Sequence, residues 1–217
     1  MPSDKWDDFA PDWDSRSDVH QYADHAFESW NRRVAPLVEN MREMNVLDFG
    51  CGTGLLTEKF ASQVNSVVAV DTSVKMLNVL KGKIRASGLT NVKAIVTTIS
   101  PDSIASDPAL FSDFDLVIAS SVCNFLPDYE ETLCTIARTM KPGGVFVQWD
   151  WIDDMPADRI RRAYDRAGLK YVSIGEEFAM DGDNAPMQVI MGIGQLCCWG
   201  SNLEDCHYDR SKMTVNH

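Results

Sequence analysis

The sequence predicts one α/β domain: a doubly wound, mostly parallel seven-stranded sheet with helices on both faces and an antiparallel C-terminal edge hairpin. Three observations predict it. Short apolar runs alternate with segments of helical period from residue 45 to residue 168, the pattern of parallel strands joined by crossover helices. A glycine-rich turn, Gly50-Cys-Gly-Thr-Gly54, joins the first run to the first of those helices. The last two runs are separated only by a polar Asp-Gly-Asp-Asn loop; without a crossover helix they must pair antiparallel.

In chain order, residues 1–18 alternate Asp, Trp and small polar residues without periodicity, and read as an acidic, mobile or loosely docked arm. Val19, Tyr22, Ala23, Ala26, Phe27, Trp30 and Val34 then recur three or four apart, as along one helix face. Pro36 suits the first turn of a second short helix reaching about Met44. The first strand, 45–49, runs into the glycine turn, after which Leu55, Leu56 and Phe60 face inward from a helix. Strand 66–70 ends on Asp71, and Thr72 or Ser73 caps a helix carrying Val74, Leu77, Leu80 and Ile84, closed by Gly88. Strand 92–96 precedes a segment, 100–110, that reads as irregular or as a short helix. Strand 114–119 leads to Asp128-x-x-Glu131, a helix start. Lys141-Pro-Gly-Gly144 turns the chain into strand 145–149, and Pro156 opens a helix that Gly168 stops. Residues 170–175 and 187–193 form the hairpin. The domain therefore spans 19–195, with 19–44 as N-terminal helices, between the arm 1–18 and a tail 196–217.

The 217 residues carry 20 Lys plus Arg against 32 Asp plus Glu, a formal charge of −12. Affinity for a phosphate backbone rests on basic side chains, so no nucleic-acid partner is expected. Hydrophobic residues at 45% can bury a real core. No basic or apolar leader follows Met1, and the uncharged stretch 184–203 is too rich in Gly, Gln and Asn to span a membrane. The six cysteines contain no CxxC pair, so reduced thiols in a cytoplasmic protein are expected. Cys197, Cys198, Cys206 and His207 match no zinc spacing, and no metal is expected.

In a doubly wound sheet the turn after the first strand points into the ligand crevice. Glycines there let backbone approach a ligand, and the following helix offers free N–H groups. Gly50, Gly52 and Gly54 follow G-x-G-x-G, while the place of a dinucleotide fingerprint's third glycine holds Leu55. This pattern, with Asp48 two residues ahead of Gly50, resembles the first motif of class I S-adenosylmethionine-dependent methyltransferases. Other parts agree in order: Val67-Val-Ala-Val-Asp71 with the second strand, Phe114-Asp-Leu-Val-Ile-Ala-Ser120 and Leu126-Pro-Asp128 with the fourth, Met140-Lys-Pro-Gly-Gly144 with the turn into the fifth, and Ala167-Gly168-Leu169 before the sixth.

The resemblance implies S-adenosylmethionine as cofactor, with Asp71 on the ribose hydroxyls and Asp48 meeting the methionyl ammonium. It places Gly50, Cys51, Gly52, Gly54, Thr72, Thr98, Ile99 and Ser120 around the cofactor, and makes the helix with Tyr22 and Trp30 a lid. There are departures. Val96-Thr-Thr-Ile99 lacks the acid that often meets the adenine, and Cys123-Asn-Phe125 stands where a family subset has histidine. Asp115 starts its strand at the far end and reads as structural.

No catalytic residue is fixed by the sequence; Asp150 and His25 are weak candidates, a capping acid and a solvated histidine being the plainer readings. Val145, Val147, Trp149 and Trp151 share one strand face, which reads as core before it reads as a stacking surface. The expected function is methyl transfer to a small-molecule acceptor by in-line displacement. The rivals are a protein methyltransferase, an NAD(P)-dependent oxidoreductase and a non-catalytic cofactor-binding regulator.

Overall fold

The computed structural model describes residues 4–111, 113–182 and 185–197. Seven strands form one sheet: β1 (Asn45–Phe49), β2 (Ser66–Asp71), β3 (Val92–Val96), β4 (Phe114–Ser120), β5 (Met140–Trp151), β6 (Leu169–Met180) and β7 (Met187–Leu196), in the order β3-β2-β1-β4-β5-β7-β6. The pairs β1/β2, β1/β4, β2/β3 and β4/β5 are parallel; β7 runs antiparallel between β5 and β6. Order reverses at β1, so the crevice opens beyond the C-terminal ends of β1, β2 and β4.

Period-two alternation gives each sheet face its own core. Val46, Val67, Leu116, Ile118, Val147 and Trp149 pack beneath α2 (Ser17–Arg33) and α3 (Leu55–Ala61), and Ala69 packs against α4 (Val74–Ser87). Leu47, Phe49, Val68, Val117 and Phe146 face α6 (Tyr129–Ala137) and α7 (Ala157–Ala167) on the other side. Val147 and Trp149 are thus core, as their strand face predicts. Asp115 sits at the β4 irregularity, accepting from the Asn45 backbone N–H at 2.8 Å and from Lys141 Nζ at 2.7 Å, the structural role expected of it.

Two sequence expectations change and a third is narrowed. The segment 36–44 holds two 3-10 turns, Ala35–Leu37 and Met41–Glu43, because Asn40 adopts a left-handed φ of 55° between them. Of the two readings of 100–110 the short helix holds: α5 (Pro101–Ser106), fixed by a reciprocal Ser100/Ser103 capping box. The arm is ordered: α1 (Asp4–Phe9) and a 3-10 turn, Trp13–Ser15, dock on the domain, with Ala10 buried. Cys198, Cys206 and His207 lie outside the described residues. Among the described residues, no helix is long and apolar enough to cross a membrane and no group of His, Cys, Asp or Glu is arranged to hold a metal ion.

One core contact is polar. Trp149 Nε1 donates to Ser29 Oγ at 2.7 Å, both groups buried. Ser29→Ala orphans the indole N–H and is expected to lower stability by about 1–3 kcal/mol, read as a shift in the urea midpoint at constant slope. An unmoved midpoint would show that the bond contributes nothing.

Candidate active site

Gly54 sits at the N-terminus of α3 with φ of +85°, and a Cβ there would lie 2.3 Å from Leu80 Cδ1. Only glycine lets α3 approach α4 this closely while the chain reverses. The turn is held from beside it by Asp71: Oδ2 accepts from the Gly52 N–H at 2.8 Å and Oδ1 from the Ser73 N–H at 2.8 Å. One carboxylate at the end of β2 thereby fixes both the glycine turn and the start of α4. Burial raises its pKa, and the two N–H bonds oppose that.

Asp48, 2% exposed near the end of β1, accepts from Thr57 Oγ1 at 2.5 Å. Burial pushes its carboxyl up to about 7, the Thr57 bond pulls it back and the charge of Asp71 adds to the rise. No cation neutralises this pair among the described side-chain contacts. Asp71 and Asp48 open on one cavity of about 790 Å³, lined also by Tyr22, Gly50, Cys51, Gly52, Thr72, Thr98, Ile99 and Ser120. A Cβ on Gly52 would meet nothing within 4 Å, so the turn presents bare backbone to this space.

A family model described as a methyltransferase domain matches residues 40–163. The chain belongs to this methyltransferase family. Its G-x-G-x-G turn and strand-end acids accord with the class I S-adenosylmethionine-dependent branch, as does its sheet order. The chain is 35% identical over 124 residues to a ubiquinone biosynthesis O-methyltransferase of Rhizobium rhizogenes, covering 56% of this chain and 46% of the relative. It is 29% identical over 182 residues to the ubiquinone/menaquinone biosynthesis C-methyltransferase UbiE of a Shewanella species, covering 81% of this chain and 68% of that one. An uncharacterized methyltransferase of Schizosaccharomyces pombe matches at 28% over 103 residues, 46% of this chain and 36% of its own. The chain thus spans under half the length of two of these curated relatives. Among solved structures, an S-adenosylmethionine-dependent methyltransferase of Clostridium acetobutylicum shares the fold with a TM-score of 0.63 and 16% identity, over 88% of this chain and 96% of that one.

The fold brings ten of the sequence-predicted residues to the cavity wall and leaves four elsewhere. Gly54 lies behind the turn, against Leu80. Trp30 is fully buried against Phe60, ring centroids 5.1 Å apart, so it belongs to the core and not to a lid. The same holds for most of α2: Ala26 and Ser29 are buried, and Arg32 and Arg33 pair with Glu177 of β6. Only its first turns, through Val19, Tyr22 and Ala23, meet the cavity. His25 is surface-lying, 3.6 Å from Glu28 and packed on Phe178.

Asp150 also lies off the wall. Fully buried on the opposite face of β5 from Trp149, it accepts from Gln148 Nε2 at 2.8 Å and from the Asn124 N–H at 3.3 Å. Burial pushes it up to about 7, those bonds pulling the other way. It anchors the loop after β4 and is not itself one of the residues that line the cavity. Residues that sequence reasoning missed form much of the remaining wall: Trp6 and Trp13 from the arm, Phe125, Met180, Met187 and Asp181. Trp6, Phe9 and Trp13 in a strongly acidic arm were the available signal.

Proposed function

We propose that the protein transfers a methyl group from S-adenosylmethionine to a small-molecule acceptor. The observation that carries this reading is the pair of strand-end acids, Asp48 buried and Asp71 half-buried, beside bare glycine backbone. Asp71 keeps lone pairs beyond those spent on Gly52 and Ser73, suited to two neighbouring ribose hydroxyls. Asp48 is a buried acid awaiting a cation, suited to an α-ammonium group. When bound, S-adenosylmethionine supplies a methyl group already activated on a sulfonium. What the chain contributes is alignment and exclusion of water, worth up to roughly 7–11 kcal/mol in oriented reactions.

Relatives named for ubiquinone and menaquinone biosynthesis support a small organic acceptor. So do the apolar side chains of Phe125, Trp151, Met180 and Met187 in the cavity wall. Tyr22 contributes its ring to the cavity wall, with its hydroxyl buried beneath that surface. Leu55 in place of a third glycine counts against NAD.

Calorimetry is expected to show S-adenosylhomocysteine binding in the micromolar range and NAD far more weakly. Asp71→Ala removes a charged acceptor, so affinity should drop by about 1.5–3 kcal/mol. Equal affinities for NAD and S-adenosylhomocysteine, or an unchanged dissociation constant in the alanine variant, would overturn the reading. Transfer of labelled methyl to a panel of phenols, thiols and amines identifies the acceptor.

A further inference from the structure

Residues 4–15 cross over the glycine turn and the end of β2. From α1, Asp7 Oδ1 accepts from Ser73 Oγ at 2.5 Å and from the Lys75 N–H at 3.1 Å. From the following 3-10 turn, Asp14 Oδ1 accepts from Thr53 Oγ1 at 2.5 Å, and Asp14 Oδ2 lies 2.7 Å from Lys83 Nζ on α4. Both anchors land beside the groups that Asp71 grips. Ser73 gives its backbone N–H to one Asp71 oxygen, and Thr53 follows Gly52, which gives its N–H to the other.

Between the anchors the arm faces the cavity with aromatic rings. Trp6 and Trp13 are both wall residues. Trp6 stands edge-on to Phe125 of the loop after β4, centroids 5.0 Å apart, and edge-on to Trp13 at 6.1 Å. The arm therefore bridges three separate edges of the opening: the glycine turn, the first turn of α4 and the loop after β4. A helix of six residues such as α1 is not stable by itself. Its order depends on these contacts, so it can release locally without global unfolding.

We propose that this arm is the roof of the donor cleft, with Asp7 and Asp14 as positioning residues that clamp it to the two turns flanking Asp71. Donor and product exchange when the clamps let go, and Trp6 and Trp13 shut water out when they hold. The inference rests on the donor reading of the cavity given above.

The probe is S-adenosylhomocysteine on the full chain, its dissociation followed by stopped-flow tryptophan fluorescence. Asp7→Ala with Asp14→Ala is expected to speed dissociation roughly tenfold or more, through loss of charge-assisted bonds, and to leave the unfolding midpoint of the ligand-free chain unchanged. Trp6→Ala should speed it as well. Trypsin provides a second readout on the unaltered protein: S-adenosylhomocysteine should slow cleavage after Arg16, which lies in the cavity wall. Dissociation rates equal to wild type in the variants, or cleavage indifferent to ligand, would overturn the roof while leaving the donor reading intact. Absence of any binding to the wild-type chain overturns the donor reading, and the roof with it.

Discussion

Replacing Trp30 with alanine is expected to remove about 3–5 kcal/mol of folding stability, the usual cost of emptying a fully buried tryptophan site. Its ring lies under α2 against Phe60 and in the cluster that contains Trp149, so the cavity left behind has rigid walls on several sides. With native stabilities of roughly 5–15 kcal/mol, such a loss leaves little margin. Deleting residues 1–34 removes Tyr22, Ala23, Ala26 and Trp30 together and exposes that sheet face, and the expected product is an unfolded chain. Urea titration of Trp30→Ala and circular dichroism of the deletion check both. A folded deletion product would restore α2 to the status of a detachable cover.

The second large effect concerns pH. Asp48 and Asp150 are fully buried acids whose carboxyls are pushed to about 7, against an ordinary value near 3.9 in an unfolded chain. Between those values the folded chain holds protons that the unfolded chain has lost, so stability falls as pH rises through the window. Each acid contributes a loss of about 1.4 kcal/mol per pH unit, on the order of 2 kcal/mol between pH 5.5 and 7. Asp48→Asn keeps an acceptor for Thr57 and removes one of these losses. It should therefore be more stable than wild type at pH 8, by roughly 2–4 kcal/mol, with the difference shrinking toward pH 5. The same variant should bind S-adenosylhomocysteine poorly, since an amide does not neutralise an ammonium. Affinity of the wild-type chain should accordingly rise with pH up to about 7 and then level off. Unfolding titrations at pH 5.5 and 8, with calorimetry at the same values, decide the point. A parallel pH profile for wild type and Asp48→Asn would mean that the acid is ionised throughout.

The alternation of periods two and 3.6 made the sheet legible from sequence, and the missing crossover helix before 187–193 made the hairpin legible. The glycine turn was legible because the topology points it into the crevice; Asp48 and Asp71 were singled out by the family resemblance that this turn carries, and both line the cavity. What escaped is non-local. Amphipathic spacing on α2 says that a face is buried but not against what, so a core helix reads the same as a lid. Trp30 was drawn into the site on that ambiguity. Asp150 differs from a cavity acid only by which side of β5 it leaves, and strand alternation had already assigned Trp149 and Trp151 to the other side. The arm has no period to read; its place is set by Asp7 meeting Ser73 and Asp14 meeting Thr53, partners 66 and 39 residues away.

The strand order also constrains how the chain is made. β7 lies between β5 and β6, hydrogen-bonded to both, although it follows both in sequence. While the chain emerges from the ribosome, β5 keeps an unpaired, largely apolar edge, and β6 has no sheet to join. The sheet can close only when residues 187–196 arrive and slot between two strands already present. Until then the nascent domain carries an exposed strand edge of the kind that seeds association between chains. A stop codon shortly before Met187 would therefore produce an aggregating fragment and not a smaller working enzyme.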